Sequence, residues 1–217
     1  MTRTVFTQNM QEIQEEMLAL GSMVEKAIGR SVEALRTQNV DMARAVIRYD
    51  EEINNKRWTI EEECTMVIAT QAPLARDLRY IFAIAHIATE LERMADYAQG
   101  IAKLTIETAG VPLLKPLTDL PRMASLGREL LGEALDAFVE QDAAKARQIA
   151  ARDDEVDDLY DQVYRELLTF MISDPSTVPR ATHLLWIAHN LERIADRVTN
   201  ICERTIFSVT GKIEELG

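Results

Sequence analysis

Leu91-Glu92-Arg93-Met94-Ala95-Asp96 and Leu191-Glu192-Arg193-Ile194-Ala195-Asp196 are one segment written twice, exactly one hundred residues apart. Around them Ile87, Ala88 and Ile101 recur as Ile187, Ala188 and Ile201 at the same offset of 100. Further upstream Ala34, Ala43, Arg44, Asp50 and Glu52 recur as Ala137, Ala146, Arg147, Asp153 and Glu155, at an offset of 103. The three-residue difference is a loop shortened where Pro175 and Pro179 stand. Unrelated amphipathic helices share hydrophobic positions, but seldom share acids in register, so the order of matches reads as an internal duplication.

Each copy has the pattern of three helices. The first is expected over about Thr4–Arg36, the second from Val40 to about Thr70 with Asn39 as its cap, and the third over about Leu74–Thr108. A linker rich in breakers, Gly110-Val111-Pro112-Leu113-Leu114-Lys115-Pro116, follows. Thr118 or Asp119 is then expected to cap a fourth helix ending near Glu140, Asp142 to open a fifth lasting to about Ile172, and a sixth to span about Arg180–Thr210. The fold class is therefore all-α: a tandem duplication of an antiparallel three-helix bundle, with repeats over 1–110 and 111–217. A core continuous between the two repeats is compatible with the same pattern.

Composition agrees. Apolar residues make up 47% of the 217 residues and aromatic residues only 6%, with eight Gly and six Pro. Unbranched side chains lose little rotamer freedom in a helix. A formal net charge of −12 makes the surface a poor match for nucleic acid and a good one for cations or a basic partner. No apolar run approaches the roughly 20 residues that a membrane span needs, and the first residues lack a signal-peptide core. Cys64 and Cys202 are widely separated and read as reduced thiols of a cytoplasmic protein.

The acids carry the functional signal. Ile84, Ile87, Leu91, Met94, Ala98 and Ile101 form the apolar stripe of the third helix, as Leu184, Ile187, Leu191, Ile194, Val198 and Ile201 do in the sixth. Glu92 and Asp96 lie one turn apart, roughly 100–140° from the centre of that stripe, and so do Glu192 and Asp196. Small neighbours such as Ala88, Ala95, Ala188 and Ala195 place these acids on an accessible edge. On the second helix of each repeat Asp50 pairs with Asn54, and on its counterpart Asp153 pairs with Asp157. If those helices are antiparallel neighbours, four oxygen-bearing side chains converge in each repeat, a donor set suited to magnesium, calcium, manganese or iron. Solvated acidic pairs are common, so a purely structural scaffold competes with this reading, as does a carboxylate–metal enzyme. Arg93 and Arg193 are expected to pair with the neighbouring acids. His86, His183 and His189 do not repeat, and no Gly-rich phosphate loop, Ser/His/Asp set or CxxC is present.

The ordered set of segments, together with Pro73-Leu74-Ala75-Arg76-Asp77-Leu78-Arg79, resembles the PhoU family of phosphate-specific transport accessory proteins over essentially the whole chain. The resemblance implies two three-helix bundles that bind multinuclear metal clusters (iron, zinc, manganese or magnesium) through Glu92, Asp96, Glu192 and Asp196, with Asp50, Asp153 and Asp157 as partners. It also implies a cytoplasmic, non-enzymatic negative regulator of phosphate uptake and phosphate-starvation signalling, acting between the ATPase subunit of the phosphate ABC transporter and a sensor histidine kinase. Neither the pattern nor the resemblance fixes the oligomeric state, and a homodimer is compatible with both. Asn54, where the second copy has Asp157, departs from the pattern and sets the two sites apart.

Overall fold

The computed structural model describes residues 3–216, and all regular structure among them is helical. The helices are α1 (Arg3–Thr37), α2 (Val40–Gln71), α3 (Arg76–Glu107), α4 (Asp119–Glu140), α5 (Ala143–Ala150), α6 (Asp154–Ser173) and α7 (Val178–Thr210), with a single 3-10 turn at Pro175–Thr177. No helix among the described residues is long and apolar enough to cross a membrane.

The duplication extends to the backbone of the turns. Gln38 and Gln141, equivalent at the offset of 103, end α1 and α4 in the left-handed region, at φ 49° and 54°. The following amides reach back identically: Asn39 N–H to Ala34 O at 2.8 Å and Asp142 N–H to Ala137 O at 2.9 Å. Asn39 and Asp142 then cap the next helix, accepting from the Met42 amide and from the Ala144 and Lys145 amides, all at 2.9 Å. Each cap satisfies donors that a helix start would otherwise leave orphaned. Thr118 sits at the start of α4 but makes no side-chain cap, contrary to expectation.

The expected fifth helix is broken. At 151–153 the amides of Arg152 and Asp153 bond three residues back, to Ile149 O and Ala150 O at 2.9 and 3.1 Å, and the axis restarts as α6. Two causes act together. Arg152 reaches Glu129 and Glu133 of α4 at 2.8 and 2.9 Å and Glu155 at 2.9 Å, which holds the turn against its neighbour. Asp154, Glu155 and Asp157 crowd the new first turn, where the helix dipole favours negative charge. The first repeat has Tyr49 at the position of Arg152, and α2 runs through unbroken.

Within each repeat the three units pack on one another, and the repeats meet through α1 against α4 and α3 against α7. These four helices form the centre, with α2 on one flank and α5–α6 on the other. The α3–α7 pairing is antiparallel. Glu90 accepts from Asn200 at 3.0 Å, and a Cβ placed on Gly100 would lie 3.1 Å from the Asn190 amide nitrogen. This register sets Ala95 opposite Ala195, both almost wholly buried. The α1–α4 pairing has the same character, with Gly29 under Arg128 and its equivalent Gly132 under Glu25. Two antiparallel seams with exchanged partners amount to a pseudo-twofold axis between the repeats.

The core follows from that arrangement. Both apolar stripes predicted from sequence are buried, and buried residues of both repeats belong to one contiguous cluster. Tyr80 of α3 stacks on Phe138 of α4 across the boundary, ring centroids 4.8 Å apart and planes within 3°. Met17 is fully buried, and Met10 and Met23 pack on the core. Cys64 and Cys202 are free and buried, which pushes both thiols up to about 12.

A shared core predicts cooperative unfolding. Phe138→Ala removes a fully buried ring and is expected to cost about 3–5 kcal/mol. In denaturant titrations followed by helical circular dichroism, both repeats should lose structure in one transition, shifted by that amount. A transition that separates into two, with only one responding to Phe138→Ala, would rule out the common core.

Candidate cation-binding site

The acidic residues singled out in the sequence do gather into two clusters, one per repeat. In the first, Asp50 of α2 faces Glu92 and Asp96 of α3. Asp96 is open, with 41% of its side chain exposed, but Asp50 and Glu92 retain only 8% exposure each. The accessible edge expected from helical geometry for Glu92 and Asp96 therefore holds for Asp96 and not for Glu92. The cause is α2, which packs along α3 and covers the side on which Glu92 projects.

Hydrogen bonding is incomplete. Asp50 Oδ2 accepts from Asn54 at 3.1 Å and from Gln99 at 2.7 Å, while Asp50 Oδ1 is buried with no partner. Arg93 donates to Asp96 at 3.2 Å and lies 3.7 Å from Glu92, the pairing expected of it. Lys103 donates to Gln99, completing a chain from the lysine through the amide to Asp50. Burial raises the proton affinity of Asp50 and of Glu92, and in each case the nearby Asp96 charge raises it further.

The second cluster joins Asp153 at the α5–α6 break and Asp157 of α6 to Glu192 and Asp196 of α7. Asp153 Oδ1 and Glu192 Oε2 are both shut off from solvent without a hydrogen-bond partner, although His189 Nδ1 stands 3.3 Å from the latter. Arg193 donates to Asp196 and also bonds Tyr97 of the other repeat. Burial pushes the Asp153 carboxyl up to about 6, helped by the charges of Asp157, Asp196 and Glu192 and opposed by a hydrogen bond from Thr199. Asp157 and Glu192 are raised by burial first and by Asp196 next. A polar recess of about 250 Å³ adjoins the cluster, lined by Asp153, Asp196, Thr199, Glu203 and Glu215 with Arg193.

Among the described residues no three His, Cys, Asp or Glu side chains are drawn into a ready coordination sphere. The carboxylates stand apart because they repel one another and turn to Asn54, Gln99, Arg93 and Arg193 instead. What remains is a set of oxygen donors, some desolvated and unsatisfied, held within electrostatic reach. Buried carboxylates without partners are costly. An oxygen-only donor set matches the ligand chemistry of a hard divalent ion, although among the described residues no three of these side chains are gathered closely enough to hold one.

Sequence reasoning missed Gln99, Lys103, Thr199 and Glu203. All lie three or seven residues beyond Asp96 or Asp196, on the same helical face, so extending the acidic stripe by two turns would have found them.

The fold and the clusters define a class: duplicated three-helix proteins with matched acidic pairs at a twofold seam. The PhoU domain family matches residues 17–105 and again 120–205, one domain per repeat. The chain is 39% identical over 217 residues to a phosphate-specific transport system accessory protein PhoU homolog of Clostridium acetobutylicum, covering 100% of this chain and 99% of the relative. Its identity to the homolog of Aquifex aeolicus is 37% over 204 residues, covering 94% and 92%. Among solved structures, PhoU from Pseudomonas aeruginosa superimposes with a TM-score of 0.90 at 33% identity, covering 95% of this chain and 100% of that one. The phosphate transport system regulatory protein PhoU from Streptococcus pneumoniae also gives 0.90, at 32% identity, covering 97% and 100%. The protein belongs to the PhoU family.

Asp153 provides a test of the cluster in ion-free protein. Its folded pKa of about 6 lies above the ordinary carboxylate value near 4, so the folded state holds the proton more tightly than the unfolded state between those limits. Stability should therefore rise as pH falls from about 6 to about 4. Asp153→Asn is expected to raise the denaturation midpoint at pH 7.5, to give no gain at pH 4, and to flatten the slope between. An unchanged pH profile in the variant would show that Asp153 does not feel its neighbours.

Proposed function

We propose that this protein is a cation-binding accessory factor that restrains phosphate uptake and phosphate-starvation signalling. It acts on the cytoplasmic side by contacting the ATPase subunit of the phosphate ABC transporter and a phosphate-sensing histidine kinase, and it works by binding and not by catalysis. The observation that carries this reading is the match of both repeats, over nearly the whole chain, to relatives named as phosphate transport accessory proteins.

The acidic clusters supply the chemistry. Asp50, Glu92 and Asp96 would hold one divalent ion or small cluster of ions, and Asp153, Asp157, Glu192 and Asp196 another. A bound ion neutralises the repelling carboxylates and offers a positive centre on an otherwise acidic protein. The chain's own residues position that centre: α2 and the α5–α6 break bring Asp50 and Asp153 to the α3–α7 seam, and Arg93 and Arg193 orient Asp96 and Asp196.

In cells lacking the gene, phosphate uptake and a phosphate-starvation reporter should both rise severalfold in phosphate-rich medium. Wild-type protein should restore repression, and the E92Q/D96N/E192Q/D196N variant, folded by circular dichroism, should not. Uptake and reporter levels that ignore loss of the gene would refute the regulatory reading. Full rescue by the quadruple variant would refute the part played by cations.

A further inference from the structure

The outer flanks of the two repeats are built differently. In the first repeat a groove of about 420 Å³ runs between α2 and α3, with Glu61, Thr65, Ala85, His86 and Thr89 among its lining residues. The equivalent positions between α6 and α7 hold Tyr164, Leu168, Leu185, Trp186 and His189. Larger side chains thus take the floor, where Leu185 packs on the core. Aromatic rings come to the rim, where Tyr164 is 41% and Trp186 52% exposed. Beside them Tyr160 and His189 stand with ring centroids 6.3 Å apart. Burial holds the Tyr160 hydroxyl above its ordinary pKa, and the charges of Glu192 and Asp161 raise it further, so both carboxylates lie within electrostatic reach of the rings.

The first repeat shows what such a rim accepts. There Arg57 lays its guanidinium 4.0 Å from the centre of the Trp58 ring and donates to Glu61 at 2.7 Å, a cation held by an aromatic face and a carboxylate together. The three equivalent residues of α6 are Tyr160, Asp161 and Tyr164. Rings and a carboxylate remain, and the cation has gone. Asp154, Asp158 and Asp161 follow one another along the exposed side of α6. The base next on that line, Arg165, stands 3.9 Å from Asp161, with 72% and 67% of the two side chains exposed. Phosphate groups of lipids and nucleic acids are repelled by such a face. A guanidinium suits it better than a lysine ammonium does, because it stacks on rings and bonds a carboxylate at the same time. Tryptophan, tyrosine and arginine are also the residues that dominate the binding energy of protein interfaces.

We propose that the α6–α7 face is the docking surface for an arginine-bearing segment of a protein partner, whose guanidinium stacks on the exposed rings of Trp186 and Tyr164 and pairs with Asp161, as Arg57 does internally in the first repeat. The proposal rests on the reading that the chain acts by binding partner proteins, and it gives that reading a place on the molecule and a chemistry. It makes no use of bound ions.

The chain has two tryptophans, Trp58 and Trp186, one on each flank, so their indole N–H resonances report the flanks separately. The full chain, labelled with nitrogen-15, is titrated with a capped alanine peptide carrying a pair of arginines and with its lysine counterpart. The Trp186 indole should shift saturably with the arginine peptide and need severalfold more of the lysine peptide. The Trp58 indole, whose ring Arg57 already covers, should stay in place, and D161N/Y164A should lose the Trp186 response. With the purified transporter ATPase subunit and sensor kinase as partners, Y164A/W186A, folded by circular dichroism, should weaken at least one complex about tenfold. A Trp186 indole that does not respond, both indoles shifting alike, equal affinity for the two peptides, or undiminished binding of both partners by Y164A/W186A would each overturn the docking surface while leaving the adaptor reading intact. Wild-type protein that binds neither partner would overturn that reading and this assignment with it.

Discussion

The antiparallel seam between α3 and α7 is the constraint on which the molecule depends. Alanine faces alanine at its centre, and that small pair lets two long helices lie close enough for Tyr97 to meet Arg193 and for Glu90 to meet Asn200. Because both helices carry their acids beside the seam, each cluster must be assembled by an outer helix folding over its own half. Leu91 and Leu191 fix the helices in the shared core, and the acids that follow them have little freedom to move away.

This geometry explains why the clusters are electrostatically uncomfortable. A glutamate and an aspartate one turn apart repel only mildly when solvated. Covered by α2 or by the α5–α6 break, they lose water as well, and the remaining hydrogen bonds do not replace it at Asp50, Asp153 or Glu192. The strain is tolerated because the surrounding core is large and continuous. Buried polar groups left without partners mark places where a fold gives up stability for another end.

The duplication, the helix order and the two apolar stripes were legible in the sequence because they are periodic and repeated. Two features were not. The break in the fifth helix depends on Arg152 finding Glu129 and Glu133 across space, contacts 23 and 19 residues away in the chain that no local pattern records. The burial of Glu92 likewise depends on which neighbour covers its side of α3. Periodicity gives the angle of a side chain about its own helix, but whether that angle opens on water or on another helix is settled by packing. The choice of acids was legible, and their degree of desolvation was not.

The pseudo-twofold relation between the repeats has an evolutionary consequence. A seam in which each helix meets its own equivalent, running the other way, is the isologous contact that two separate copies of a single repeat would make with each other. In such a pair every substitution appears twice, so both sites must carry the same residue. Joining the copies through the linker at 108–118 removes that obligation. Lysine at 103 with glutamate at 203, and asparagine at 54 with aspartate at 157, are combinations open to a fused chain and closed to a symmetric pair.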